Sequence, residues 1–452
     1  MADLKNFKEK LFTAASAAGL EEYELYCQNG VTFRTMVFNG EVADFTNAAT
    51  VGVSFRGKFG GKIGYAYSEK ADDSVIGFLV SQAKENASLI EGDEVEEIYA
   101  GDEQYPEIIT YYPELAAVPS EDKIATALAV EASCKAADPR VMAVPYCMVG
   151  SGEREVVIAN SKGLDVSTKS NAFYSYASAQ VGEDGMVKTG GDIFIGSNFA
   201  KFNPKELGEK VAKTALAKLG AKSIESGKYP IIFENACATD LLGVYVSGFS
   251  AETAQKGFSL LKGKLGEVIA SPAVSITDDP LLPGAVASTP FDSEGVASYK
   301  KAVIDKGVFK TFLHNTKTAA KDGVKPTGNG FKADFKAAVN ISPTNFFIEP
   351  SDISVDDLNT KMGKGLLITD LDGLHAGTNA ISGDFSLSAT GFLVEGGKIT
   401  RPVDQITISG NFFEMLKNIE AVGSDLEFFN ASPPSNVASP SFLVKSLDVA
   451  GS

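Results

Sequence analysis

The stretch FENACATDLLGVYVSGFSAE, Phe233 to Glu252, follows the β-branched and aromatic run YPII and decides how the second half of the chain is read. Leu241, Leu242, Val244, Tyr245, Val246 and Phe249 fall on nearly every face of a helix, with Gly243, Ser247 and Gly248 between them. A helix that is apolar all round is a buried helix. Between Asp240 and Glu252 the only ionisable group is the Tyr245 phenol, so this part of the helix holds no usual acid, base or metal ligand. The small residues Gly243, Ser247 and Gly248 predict a close approach by another backbone, within the chain's own core or across a subunit boundary. Beyond this helix the runs are strand-like: AVSIT, KKAVID, GVFKTFL, AAVNIS, NFFIEP, GLLITD, FSLSATGFLVEGGKI, QITIS and SFLVKSLDVAG. Short helices are predicted near Asn315 to Lys321, Val355 to Met362 and Asn411 to Ile419, with Gly, Asp or Pro at most turns. The expectation for residues 228–452 is a β-rich domain, a large curved antiparallel sheet packed around the buried helix.

Upstream, the pattern is helix, strand meander, helix, and it occurs twice. Leu4, Phe7, Leu11 and Ala14 recur at helical spacing from Asp3 to about Ala18, and Gly19 stops the helix. EYELYCQ, VTFRTMVF, VGVSFRG and KIGYAYS alternate like antiparallel strands, broken at NG, FNGE and RGKFGGK turns. A helix then runs from about Asp72 to Leu89. After the acidic, aromatic and proline-containing connection 91–119, Ser120 caps a helix to about Ala137. Strands follow through VMAVPYCMV, REVVIAN, LDVSTKS, AFYSYASAQV and KTGGDIFIG. Asn203 as N-cap and Pro204 at the first position start another helix that ends by Gly220. The fold class is therefore α+β: a pseudo-duplicated helix and antiparallel-strand region, 1–222, with halves at about 1–90 and 120–220, followed by the β-rich domain 228–452.

Composition excludes several functions. A chain of 452 residues with a formal net charge of −17 offers no wide basic surface for phosphates, so direct nucleic-acid binding is not expected. No run reaches the roughly 18 apolar residues of a membrane helix, and MADLKNFKEK lacks the apolar core of a signal peptide. The expectation is a cytoplasmic protein with no membrane association. Cys27, Cys134, Cys147 and Cys237 are far apart and form no C-x-x-C pair, which fits reduced thiols rather than disulfides or a structural zinc site. Any metal site would have to use carboxylates or the two histidines, His314 and His375.

Three C-terminal stretches are dense in Gly, Ser, Thr and Asp: GAVASTPFDSEG (Gly284 to Gly295), FLHNTKTAAKDGVKPTGNG (Phe312 to Gly330) and GLHAGTNAISGDFSLSATGFLVEGGKI (Gly373 to Ile399). Each alone reads as turn chemistry. Together, the order and spacing of STPFDSEG, TKTAAKDG, NAISGDFS, GFLVEGGKI and PVDQITISGNFFEMLKNIEAVGSD resemble the C-terminal half of the TldD/PmbA proteins. The resemblance runs from about Lys228 to the end; the N-terminal half is similar in layout rather than in motif. It implies a metallopeptidase family whose members are also described as modulators of DNA gyrase. In the TldD branch the helix after this strand carries H-E-x-x-x-H, two zinc ligands and a general base, and a cysteine near the C-terminus completes the site. Here Gly243, Val244 and Gly248 stand at those positions, and LEFFNASPPSNVASPSFLVKSL after Asp425 contains no cysteine.

The resemblance therefore places the chain in the PmbA/TldE-like branch. It implies no catalytic residue, metal ligand or cofactor on this chain, and zinc on a TldD-type catalytic subunit that would be its partner. Together the two would cleave unfolded or extended peptides. The residues expected to shape a peptide passage are Ser288, Thr289, Asp292, Ser293, Glu294, His375 and Asp384, with Asp292, Glu294 and Asp384 read first as loop-shaping groups. Two other functions are open at this level. One is a homodimeric peptide-binding scaffold without catalysis. The other is a cysteine hydrolase using Cys237, near the start of the quoted helix, with His314 or His375 as its base.

Overall fold

The computed structural model describes residues 4–91, 97–429 and 434–452. The predicted helix start at Asp3, residues 92–96 of the acidic connection and residues 430–433 of the C-terminal stretch lie outside the described residues. The first half of the chain forms a six-stranded antiparallel sheet in the order β3-β2-β1-β4-β5-β6. Its strands are β1 (Glu22–Phe38), β2 (Glu41–Phe59), β3 (Lys62–Ser68), β4 (Val141–Asn160), β5 (Asp165–Glu183) and β6 (Met186–Gly196). The two halves meet where β1 pairs β4, from Glu24↔Asn160 to Met36↔Met148. The strands are about twice as long as the runs read from sequence. EYELYCQ and VTFRTMVF are one strand that passes through Asn29 and Gly30, which pair with Val51 and Thr50 on one side and Glu155 and Arg154 on the other. The FNGE turn does form, with Asn39 and Gly40 at φ 54° and 80°, the positive φ pair of a tight hairpin.

Alternation sends Leu25, Cys27, Val53 and Phe55 to one sheet face, where α1 (Leu4–Ala17) and α2 (Ile76–Leu89) cover them with Phe7, Leu11 and Leu79. Past the short α3 (Pro113–Ala116), α4 (Ser120–Ala137) and α5 (Pro204–Leu216) pack Val130, Cys134 and Val211 on the matching part of the second half. Ser120 is the first helical residue of α4 rather than its cap. Each half seats its second helix on an edge-strand glycine. A Cβ on Gly64 would lie 1.8 Å from the Ala83 carbonyl oxygen of α2, and one on Gly190 2.5 Å from the Ala215 nitrogen of α5. The duplication is thus visible in packing even where no residue-level repeat is. The opposite face, carrying Tyr26, Val156 and Ile158, is covered by Phe291 and Phe335 of the C-terminal half. The acidic connection helps bind the halves: Ala297 N–H donates to Asp102 at 2.8 Å and the Tyr105 hydroxyl to the Gly295 carbonyl at 2.7 Å. It is a strap more than a free surface link.

The C-terminal half differs from the single antiparallel sheet expected. β7 (Gly227–Phe233) leads into α6 (Asn235–Tyr245), a 3-10 turn at Val246–Phe249, and α7 (Ala251–Gln255). A second sheet has the order β10-β9-β8-β13-β18, from β8 (Ile276–Asp278), β9 (Lys301–Asp305), β10 (Val308–Phe309), β13 (Asn345–Ile348) and β18 (Asn436–Ala438). Between them come α8 (Thr316–Asp322) and the small pair β11 (Gly330–Phe331) and β12 (Asn340–Ile341). After α9 (Val355–Met362) the chain adds β14 (Lys364–Asp372), β15 (Asp384–Glu395), β16 (Lys398–Asn411), α10 (Phe412–Lys417), β17 (Ile419–Val422) and β19 (Phe442–Ala450). These build the order β16-β15-β14-β7-β19-β17, and β16 also pairs β19, so five of the strands close into a barrel. Two pairs, β7 with β14 and β13 with β18, are parallel. Parallel neighbours need a long return connection, and residues 234–363 supply one between β7 and β14.

Candidate functional site

Helix α6 is built as its sequence dictates on one side. Cys237, Ala238, Leu241, Leu242 and Tyr245 are buried in one cluster with Phe233, Leu366, Ile368 and Val444 of the barrel. The Tyr245 ring stacks on Phe412 at 4.5 Å between centroids, and its hydroxyl donates to the Asp384 carbonyl at 2.9 Å. The expectation of burial all round is corrected, because the helix stops at Tyr245 and its other side is open. Asp240 and Ser247 are exposed, and Gly243 and Val244 are half-buried. A Cβ on Gly243 would meet no atom of another element of this chain within 4 Å, so the close packing does not occur within the chain's own core. Gly248 lies in the 3-10 turn instead, buried, with a Cβ position 3.3 Å from the Phe413 ring.

The three positions that the resemblance assigns to zinc chemistry therefore differ in surroundings: Gly243 and Val244 reach an open face and Gly248 a packed one. None offers a donor atom. Among the described residues no group of three or more His, Cys, Asp and Glu side chains converges as a metal set. The residues present do not fit a catalytic zinc, which takes three protein ligands beside an open position.

Acidic groups surround the start of α6. Burial pushes the Glu234 carboxyl up to about 7, and the Asp370 and Asp425 charges add to the shift. Asp240, although exposed on the outer side of the helix, is raised by desolvation from the protein around it and then by Asp370. The nearest cations are engaged: Lys218 with Asp370 and Lys210 with Asp192, both at 2.7 Å. Cys237 is 2% exposed, and burial, then the charges of Asp370, Asp240 and Glu234, hold its thiol well above the ordinary range. That is the reverse of what an activated cysteine nucleophile requires. His314 is buried, its pKa is lowered by burial, and its Nδ1 has no partner.

The loop residues expected to shape a passage divide into two groups. Asp292 is 1% exposed and accepts backbone N–H bonds from Glu294 (2.9 Å), Val296 (3.1 Å) and Gly330 (2.8 Å). Glu294 accepts from the Thr316 N–H at 2.8 Å and the Thr316 hydroxyl at 2.5 Å, with an Arg56 Nη1 3.9 Å away. Burial raises both carboxyls, and their proximity adds to the rise at Asp292. The Ser293 hydroxyl accepts from the Lys332 N–H, and Ser288 donates to the Leu282 carbonyl while accepting from Asn345. Thr289 bonds the Phe291 carbonyl. These side chains tie loops together, yet Ser288, Thr289, Asp292 and Ser293 also line a small recess between the two halves, with a cavity volume of about 50 Å³. His375 and Asp384 are exposed and line no part of that recess. Asp384 accepts from Ser382 and Asn411, which hold its carboxyl below the usual range, Asn411 first.

Sequence reading missed the charged core of the seam. Arg56 donates through Nε and Nη2 to one oxygen of Glu24, at 2.9 and 2.7 Å. Lys332 is 1% exposed; its ammonium donates to the Ser54 hydroxyl at 2.9 Å and the Tyr65 hydroxyl at 3.1 Å. It lies over the Tyr65 and Tyr26 rings at 4.4 and 4.9 Å. Arg154 lines the recess beside Tyr26. One signal was available for it: alternation along REVVIAN puts Arg154 on the face of Val156 and Ile158.

Three sequence profiles cover nearly the whole chain: PmbA/TldA metallopeptidase domain 1 over residues 23–87, the central domain over 113–219 and the C-terminal domain over 226–451. The chain belongs to the PmbA/TldD family. A metalloprotease PmbA homologue of Haemophilus influenzae is 29% identical over 99% of this chain and 95% of its own length. The metalloprotease PmbA of Escherichia coli O157:H7 is 31% identical over 76% of this chain and 73% of its own. A crystal structure from Thermotoga maritima, described as a proposed modulator of a DNA gyrase, superposes with a TM-score of 0.91 at 36% identity, covering 99% of this chain and all of that one. TldE from Thermococcus kodakarensis shares the fold, with a TM-score of 0.91 at 22% identity over 98% of this chain and all of that one. Within the PmbA/TldD family the chain is of the PmbA type.

Proposed function

We propose that this chain is the non-metal-binding subunit of a metallopeptidase complex that cleaves unfolded or extended peptides, working with a TldD-type subunit that holds the zinc. The observation that carries the reading is the open side of α6. Gly243 and Val244 sit on an accessible helix face beside Asp240, where ligands would have room, and they supply none. Amide hydrolysis at neutral pH needs an activated water or nucleophile and a stabiliser of the oxyanion. The one buried thiol on this helix is held in its unreactive form. The contribution of this chain is then to complete and shape the partner's peptide path.

The test assays this chain, the TldD-type subunit from the same source and their mixture against an unstructured polypeptide, each with and without chelator. Cleavage only when the TldD-type subunit is present, strengthened by this chain and abolished by chelator, is the expected result. Chelator-resistant cleavage by this chain alone, lost in Cys237→Ala, would overturn it. Analytical sedimentation of the mixture at micromolar concentration should show a stable pair, since a specific interface of roughly 1,600 Å² survives such dilution.

A further inference from the structure

The recess between the central strands and the loop before β9 holds a cation with no acidic partner among the described residues. Arg154 is on β4, half-buried, flanked in register by Gly30 of β1 and Ser170 of β5. Its Nη2 donates to the Tyr26 hydroxyl at 2.9 Å and to the Gln28 side-chain oxygen at 3.0 Å, both neutral acceptors. Its Nε is buried without a partner, and no ion pair to a described residue involves this guanidinium. A guanidinium carries five N–H donors, and the one at Nε is buried and unmet. The neighbouring acids are committed elsewhere. Glu153 pairs with Lys169 at 3.5 Å, Glu155 accepts from Asn29 at 3.2 Å, and Asp292, which also lines the recess, is filled by its three backbone donors. A partly desolvated cation without an anion is costly, and an arginine prefers to meet a planar carboxylate through two parallel bonds.

The rest of the recess is suited to what would carry that carboxylate. Phe291, Phe331 and Val156 give an apolar wall, while Thr168 and Ser170 add hydroxyls near the arginine. Its cavity volume, about 50 Å³, gives room for a carboxylate group and little else, since one water takes roughly 10–15 Å³ on the same measure. The geometry points to a carboxylate-binding pocket for peptides, with Arg154 as the anchoring cation. This inference rests on the reading of the chain as a peptide-handling subunit and names a chemical preference for it. The carboxylate is either the free C-terminus of a peptide or an acidic side chain within one.

The test uses the full chain and three fluorescent, otherwise neutral octapeptides, followed by anisotropy: one with a free C-terminus, one amidated, and one amidated with a single internal Glu. Either carboxylate-bearing peptide should bind at least 10-fold more tightly than the neutral one, and which of them does so identifies the source. Arg154→Gln should erase that difference. Ser170→Phe, which fills the recess and leaves the arginine in place, should weaken the carboxylate peptides selectively, and thermal melts would establish that both variants are folded. Equal binding of all three peptides overturns the pocket while leaving peptide handling intact. A preference unchanged in a folded Arg154→Gln variant, or no binding of any peptide by this chain, also overturns it, and the partner assay decides the subunit reading separately.

Discussion

Lys332→Met should remove a pH dependence of stability that the buried amine imposes. The Lys332 pKa falls to about 7, chiefly through burial and then through repulsion from Arg56, against the opposing pull of Glu24, Glu294 and Asp334. An unfolded lysine keeps its proton to about pH 10.4. Between pH 7 and 10 the unfolded chain therefore binds more protons at this position than the folded one, and stability rises with pH. Each pH unit in that window contributes at most about 1.4 kcal/mol, and half the titration is already complete at pH 7. From pH 7 to pH 9 the wild type should gain about 2 kcal/mol relative to the variant. Below pH 7 the cost levels off, because the ammonium is then buried in the folded state as well. Methionine keeps the apolar stem, and the Tyr65 hydroxyl retains the Phe335 carbonyl at 2.5 Å. Urea unfolding of both proteins at pH 7, 8 and 9 reads the difference directly. Curves that stay parallel to within about 0.5 kcal/mol would refute the reasoning, since the amine would then titrate alike in both states.

Gly243→Ala should raise stability by about 0.5–1 kcal/mol, seen as a higher melting temperature, because a helix-interior glycine gives way to alanine where no atom lies within 4 Å; a loss would show that this face is packed. Gly330→Ala should cost about 1–3 kcal/mol, since its Cβ would lie 2.4 Å from a Glu294 oxygen that Thr316 holds in place; urea titration decides it. Glu234→Gln should be more stable than wild type at pH 8 and lose that advantage near pH 4. The raised carboxyl binds its proton more tightly in the folded state, so its contribution is present at low pH and fades as pH rises through about 7. Alkylation of native protein by iodoacetamide should leave Cys237 unmodified until urea unfolds the chain.

Much of the architecture could be read from local chemistry, and the failures share a cause. Asn315 caps α8 through reciprocal bonds with Thr318, and Asn203 and Pro204 open α5, because caps are written within a few residues. A strand break was misplaced at Gly150, where glycine serves packing instead of turning: a Cβ there would fall 2.5 Å from the Tyr174 ring, so this glycine seats an aromatic inside one long strand. Barrel closure and parallel pairing were not legible, since periodicity records which face a residue occupies and carries no information about its neighbouring strand. The resemblance implied that Gly243, Val244 and Gly248 stand in place of metal ligands, but that Gly243 opens onto a free face was not legible. Likewise Glu24, Arg56, Glu294 and Lys332 are far apart in the chain and meet only through the sheet-to-domain contact.

The central claim is that α6 of this chain cannot hold the metal its family is named for. The most direct measurement is the zinc content of the purified, dialysed chain, determined by mass spectrometry alongside the TldD-type subunit prepared in the same way. The account predicts far less than one zinc per chain here and close to one in the partner. A value near one zinc per chain, retained through dialysis, would contradict it.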